Sequence, residues 1–171
     1  MQKIGFGGGC HWCTEAVFQA LRGVVVVEQG WIRSAPPYDS FSEAVIVSFD
    51  PDAISLRVLI EVHLRTHASQ VAHSFRSKYR SAIYTFDPAQ ADQARADMTA
   101  LQTGFDQPLV TSVIPFEAFK PSDERFQNYY LDNPERPFCK TYIDPKLAVI
   151  RKRFARHAKS ESVECGPETV R

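Results

Sequence analysis

The residues best suited to covalent chemistry lie in one run near the start of the chain, Gly7-Gly8-Gly9-Cys10-His11-Trp12-Cys13. Three glycines allow a turn without side-chain obstruction, and a helical pattern begins directly after them. That order puts Cys10 at or near a helix N-terminus, where unpaired amides and the helix dipole favour a thiolate. Cys13, three residues on, shares the helical face of Cys10 and lies within plausible disulfide reach. The plain alternative for Cys10 is a small buried residue at a tight turn. Two neighbours argue for chemistry instead: His11 offers a cationic or hydrogen-bonding partner, and Cys13 completes a CxxC. Such a pair serves redox couples and metal half-sites alike. Zinc normally takes four ligands, often as two spaced pairs. Here Cys139 and Cys165 are isolated and there is no second CxxC, so no metal is expected and redox chemistry is the better reading.

The elements that must position these groups follow from periodicity and punctuation. A short strand over 2–6 enters the glycine turn, and a helix over 12–21 stops at Gly23. The β-branched run of Val24 to Val27 reads as a buried strand continuing through Gly30 and Trp31. A turn-rich segment holding Pro36, Pro37 and Tyr38 leads to a strand over 44–49, closed by Asp50 and Pro51. Ser55 caps a helix whose apolar stripe is Leu56, Leu59, Ile60, His63 and Leu64. After a polar loop over 68–78, a strand over 79–86 precedes Asp87-Pro88, a cap with proline at the first helical position, opening a helix to Leu101. A strand over 109–114, a short helix over 124–131, and a last helix from the cap-and-proline pair Asp144-Pro145 to about His157 complete the series. Residues 159–171, with Cys165, are expected to form a flexible tail on a catalytic domain spanning 1–158. The irregular alternation favours an α+β fold, an α/β sandwich with a ferredoxin-like core and helices packed on a mixed sheet.

Composition narrows the class. Twenty basic residues balance twenty acidic ones among 171, giving no bulk attraction to nucleic acid or anionic membrane. The basic helix around Arg151 to Lys159 reads as a solvated face with cations near its C-terminus. No apolar run reaches membrane-spanning length and the start lacks the apolar core of a secretory signal, so a cytoplasmic address is expected; the chain is taken as a monomer. Four cysteines are too few for a disulfide scaffold.

The segment GGGCHWCTEAVFQALRGV resembles the active-site segment of the A-class peptide methionine sulfoxide reductases, whose signature is GCFW followed by a glutamate, here Glu15. PPYDSFSEAVIVSFDP, ISLRVLIEVHLRTH, KYRSAIY, FQNYYLDNPERPFC and IDPKL resemble later family segments in the same order, over roughly residues 3 to 155. The resemblance implies Cys10 as the attacking thiolate, with Glu43, Tyr38 and Tyr79 bonding the sulfoxide oxygen. It also implies Trp12, with its neighbour His11, as the wall of the methyl-group pocket. A sulfoxide oxygen leaves only once protonated, so a carboxylic acid in an apolar pocket is the useful donor. Attack would release methionine and leave a sulfenic acid on Cys10, which Cys13 or, second, Cys165 would convert to a disulfide. Thioredoxin, or dithiothreitol in its place, would reopen it without a bound cofactor. Without the resemblance, Glu43 reads as a solvated residue at a strand edge, Tyr38 and Tyr79 as packing, and Trp12 as core.

Several positions depart from the family. His11 replaces a phenylalanine, the WIRSAPPY loop is short, and Phe41 and Ser42 stand for glycine and histidine ahead of Glu43. An aspartate before the YRS strand is missing, Ser74 being nearest, and Phe126 replaces the histidine beside Gln127. His67 matches, but the ASQ after it does not. The resemblance thus implies reduction of methionine-S-sulfoxide, free or in proteins, by a divergent pocket. The alternatives are a CxxC redox module or a family member with another substrate.

Overall fold

The computed structural model describes residues 1–72 and 78–160, so Ser74 and Cys165 lie outside the described residues. The first six elements are β1 (Gln2–Gly7), α1 (His11–Gln19), β2 (Val24–Arg33), β3 (Ser42–Phe49), α2 (Leu56–Arg65) and β4 (Ala82–Thr85). Their four strands lie in the order β4-β1-β3-β2, all antiparallel, which is the ferredoxin-like βαββαβ arrangement. Helix α3 (Pro88–Leu101) then carries the chain to β5 (Ser112–Pro115), parallel to β4, and β6 (Ala118–Pro121) closes the opposite edge against β2. The sheet is therefore mixed, with six strands and helices packed on it, as expected from the order of elements.

Alternation along the strands sets the two faces. Ile4 and Phe6 of β1, Val45 and Val47 of β3 and Ile83 of β4 point into the main core with Phe18, Leu59, Ile60 and Ala94 from the helices. Phe6 stacks on Phe18 at 4.6 Å, and each ring so buried contributes roughly 1.5–3 kcal/mol. The other face carries a smaller cluster of Ile32, Ala44, Ile46, Ala82, Tyr84 and Ile114. Helix α1 has a second covering. Cys13 and Ala16 pack against Tyr129 of α4 (Tyr129–Asp132), Cys139 and Ile143 of a π-helical turn (Cys139–Ile143), and Leu147 of α5 (Asp144–Arg153).

Several boundaries differ from the sequence expectation, each for a physical reason. Helix α1 starts one residue early, because the Cys10 carbonyl accepts the amides of Cys13 and Thr14, and it ends at Gln19. Leu21 instead bridges Ala158. Strand β4 starts at Ala82, not Tyr79, because its partner β1 ends at Gly7, opposite Ala82. Strand β5 starts at Ser112, since Leu109 and Val110 bond to Gln102 and Ser69. The expected helix over 124–131 is broken by Asn128, whose φ of 57° divides a 3-10 turn (Glu124–Phe126) from α4. Asp144 caps nothing: its carboxylate accepts the Tyr130 hydroxyl, and the turns before it already wind helically. The last α-helix ends at Arg153, and a 3-10 turn (Ala155–His157) finishes the expected span. Strand β6 gave no signal, being four residues long and ending in proline.

Gly30 of β2 lies opposite Pro121 of β6. A Cβ there would run into the Lys120 carbonyl and lie 2.8 Å from Phe119 Cε1. Gly30→Ala must therefore push the edge strand away, and a loss of about 1–3 kcal/mol in urea unfolding is expected.

Candidate active site

The register of the sheet assembles the site. Gly7 and Gly30 both lie opposite Ala44, from the two strands flanking β3, and Trp31 lies opposite Glu43. The glycine loop leaving β1, the carboxylate of Glu43 and the indole of Trp31 thus share one end of the sheet. By alternation Glu43 shares the helix face with Val45, next to the start of α1. Behind the loop, His63 Nε2 bonds the Gly7 carbonyl at 2.7 Å, and His67 Nε2 bonds Ser81 Oγ at 2.7 Å. These two histidines stand in HxxxH spacing on and just after α2. Their bonds commit them to the protein, and among the described residues no cluster of three His, Cys, Asp or Glu could hold a metal ion. Gly8, at φ 154°, allows the close approach of His67, whose Nε2 would lie 2.7 Å from a Cβ there.

Cys10 is the N-cap of α1 and half-buried, while Cys13 is 5% exposed one turn along. Both are free thiols. The hydrogen bond with Cys13 lowers the pKa of Cys10, and the amides of Trp12 and Cys13 add to this against burial and the charge of Glu43. The same bond and burial push the Cys13 thiol up. Of the two thiols, Cys10 is thus the one that ionises more readily.

Glu43 is not the solvated edge residue suggested by its position before a strand: it is 8% exposed. Its Oε1 accepts the His11 amide at 3.2 Å and lies 3.6 Å from His11 Nε2, while Oε2 faces Lys78 Nζ at 3.8 Å. These surroundings are polar and charged, which corrects the expected apolar pocket around the carboxyl. Nor does His11 form an open polar wall. Its ring is buried edge-on against Trp31, and Nδ1 lies 2.7 Å from the Gly30 carbonyl. A carbonyl only accepts, so Nδ1 carries the proton; burial lowers the pKa of the ring, which favours its neutral form and leaves Nε2 as the lone pair turned toward Glu43.

Trp12 sits in an aromatic cluster, its ring stacked on Tyr129 at 4.1 Å with Phe126 at 5.7 Å and Phe138 edge-on at 5.4 Å. Phe126, standing for the family histidine, extends this apolar surface. Tyr38 is exposed on its loop with the Arg80 guanidinium over its ring, and half-buried Tyr79 carries the Lys78 ammonium over its own. The connection of both tyrosines to Glu43 runs through the segment from Lys78 to Arg80: Glu43 donates its amide to the Lys78 carbonyl, and Arg80 bonds Ser40 Oγ at 2.8 Å.

Three further residues belong to this region. Lys78 supplies a cation to Glu43. Lys146, in the IDPKL segment, lines a cavity of about 20 Å³ with Cys10 and Cys13. Glu15, the motif glutamate, is fully buried; Oε1 accepts Gln29 Nε2 at 2.9 Å and the Tyr129 amide at 3.1 Å, and Oε2 accepts the Asn128 amide at 2.9 Å. Position within a quoted segment was the only signal for Glu15, Lys78 or Lys146.

A CxxC at a helix start, beside a buried carboxylate at one end of a ferredoxin-like sheet, is the arrangement of a thiol-dependent oxidoreductase. Residues 2–159 match the peptide methionine sulfoxide reductase family, and the chain belongs to that family. It is 37% identical to the peptide methionine sulfoxide reductase MsrA of Deinococcus radiodurans over 165 residues, covering 87% of this chain and 80% of that protein. Its fold is similar to that of Mxr1 from Saccharomyces cerevisiae in reduced form, with a TM-score of 0.70 and 23% identity over 82% of this chain and 90% of Mxr1. It is also similar to Mxr1 in complex with Trx2, with a TM-score of 0.59 and 22% identity over 75% and 84% of the two chains.

Glu15→Gln would set an amide NH2 against at least one N–H donor, and a destabilisation of about 1–3 kcal/mol is expected in urea unfolding. Burial raises the Glu15 pKa. Its protonation then stabilises the fold below the ordinary carboxylate range, and that contribution is lost as pH rises through the folded value. The stability gap between wild type and variant should accordingly narrow as pH rises across this window.

Proposed function

We propose that the chain reduces methionine-S-sulfoxide, free or in proteins, through a sulfenic acid on Cys10 and a Cys10–Cys13 disulfide. The observation that carries this reading is the pair of free thiols at the start of α1, Cys10 at the cap and Cys13 buried one turn on, with the buried carboxylate of Glu43 bonded to the His11 amide beside them. The Cys10 thiolate attacks the sulfoxide sulfur as the oxygen takes a proton; methionine leaves and Cys10 becomes Cys–SOH. Glu43 supplies that proton. His11 holds the carboxyl from behind, through its amide and its Nε2, and a proton between Nε2 and Oε1 turns two facing lone pairs into an attraction. Trp12 with Phe126 forms the apolar surface for the methyl group, and Tyr38 and Tyr79 close over the oxygen when substrate binds. Cys13 then displaces the sulfenic oxygen as water, forming the disulfide.

Electrons come from an external dithiol, thioredoxin in the cell, and no bound cofactor takes part. Mxr1 crystallised with Trx2 supports such a partner. No helix among the described residues is long and apolar enough to cross a membrane, in keeping with work in the cytoplasm. The reading places the catalytic domain over 1–158, acting as a monomer, with Cys165 on a tail as a second relay thiol.

An assay of the separate S and R sulfoxides, free and peptide-bound, with dithiothreitol and with thioredoxin tests it. Turnover of the S epimer alone is expected, and failure to reduce it beside an active control reductase would refute the activity. Glu43→Gln should lower kcat/KM by roughly 10²–10⁴, the usual worth of a positioned acid, whereas a simple CxxC redox module would be unaffected. Mass spectrometry after one turnover should find Cys10 joined to Cys13, and a Cys10–Cys165 bond with Cys13 free would reverse the order of relay.

A further inference from the structure

Cys13 has a difficulty that the reading above leaves open. To attack the sulfenic acid it must lose its proton, yet it is 5% exposed and packed among Ala16, Cys139 and Leu147. Burial of a thiolate in such surroundings is costly unless a cation faces it. The cavity behind the two thiols supplies one. Its walls are Cys10 and Cys13 of α1, Thr66, His63 and His67 from α2 and the turn after it, and Lys146 from α5. Lys146 reaches this space because α5 packs on α1 through Leu147 and Cys13, and its ammonium is fixed by donating to the Thr66 carbonyl at the C-terminal end of α2. Burial lowers its pKa, and the charge of Cys13 opposes that more strongly than the charge of Cys10.

We propose that Lys146 is the charge partner of Cys13, holding it as a thiolate in the second half of the cycle. This rests on the reading of Cys10 as nucleophile and Cys13 as resolving thiol. Cys13 gives its proton to solvent and its thiolate attacks the sulfur of Cys10–SOH; the S–S bond forms as the S–O bond breaks, and the departing hydroxide takes up that proton from solvent and leaves as water. Cys10 is reduced from the sulfenic level, Cys13 is oxidised, and Lys146 keeps its charge throughout. While Cys10 is itself a thiolate, the hydrogen bond from Cys13 needs that proton in place. Once Cys10 is a neutral sulfenic acid, the negative neighbour is gone and Lys146 tips the balance toward ionised Cys13. The groups facing Lys146 across the cavity are the two thiols, His63 and His67. His63 and His67 bond protein oxygens through Nε2, the Gly7 carbonyl and Ser81 Oγ.

Single turnover separates this role from a purely structural one. Methionine release reports attack by Cys10, dimedone labelling reports the sulfenic acid, and loss of free thiol reports the disulfide. K146Q keeps an N–H donor for Thr66 but removes the charge; K146M removes both; K146R keeps the charge. Loss of the facing cation raises the Cys13 pKa and depletes its thiolate, part of which the stronger nucleophile recovers, so disulfide formation should slow by roughly three- to tenfold. Methionine release in K146Q and K146M should stay within about twofold of wild type, dimedone-labelled Cys10 should accumulate, and K146R should restore most of the rate. Disulfide formation at the wild-type rate in either folded variant would overturn the proposal. Equal slowing of methionine release would overturn it too, by assigning the lysine to Cys10 or to the fold. Wild-type protein that releases no methionine would instead refute the underlying reading.

Discussion

The buried carboxylate of Glu15 is the constraint on which the site depends. It is fully buried, and neutral N–H donors rather than a cation hold it: the Gln29 side chain and the amides of Asn128 and Tyr129. A group so placed is costly unless all its bonds are made together. Satisfying it draws three separate stretches to one point, the first turns of α1, the middle of β2 and the left-handed corner at Asn128. The corner brings Tyr129 under Trp12. Gln29 and Gln127 extend the network, Gln29 accepting from Ser122 Oγ and Gln127 donating to the Gln29 carbonyl and to Ser122 Oγ. The aromatic wall of the site is thus fastened by amides and one carboxylate, not by apolar packing alone.

A second constraint is the pairing of β1 and β2 on either side of β3, which sets the glycine loop and Gly30 at the level of Glu43. It also explains how the chain tolerates His11 where its relatives' motif has phenylalanine. An imidazole buried there needs a partner for each nitrogen. Gly30 gives its carbonyl to Nδ1, and Glu43 lies opposite Nε2. The imidazole therefore turns its polar atoms to Gly30 and Glu43, apart from the aromatic cluster of Trp12 and Phe126.

The architecture was legible where punctuation and periodicity agreed. Asp87 and Ser55 cap their helices as their spacing implies, whereas the Val24–Val27 run, read as a buried strand, forms the start of β2 with Val25 and Val26 exposed. It was illegible where tertiary partners decide. Nothing local shows that β4 must wait for Ala82, because its limit is set by the end of β1, more than seventy positions earlier. Helix α1 has apolar contacts on two sides, so its pattern does not show that a second cluster covers it. In the site, Cys10 and Cys13 were readable because helix geometry couples residues three apart. Glu43 could be named only by motif, since its burial comes from β1, α1 and Lys78 together. Lys78 and Lys146 were missed as participants because lysines on a loop and a basic helix look alike whether or not they face a thiol or a carboxylate.

The charges around the two thiols account for the choice between them. Without outside influence, two cysteines in a CxxC compete for one proton on equal terms. The start of α1 breaks the tie: Cys10 lies at the cap, within reach of the amides of Trp12 and Cys13, while Cys13 is a turn further in and faces apolar side chains. Glu43 works against the thiolate, yet its place beside Cys10 is what sulfoxide chemistry requires, since the proton must arrive where the oxygen departs. The site therefore accepts a less favourable thiolate in return for a nearby carboxyl, and the hydrogen bond from Cys13 offsets the difference. In the proposed cycle that bond would be lost when Cys10 is oxidised, so one contact would favour ionisation of Cys10 before the step and of Cys13 after it.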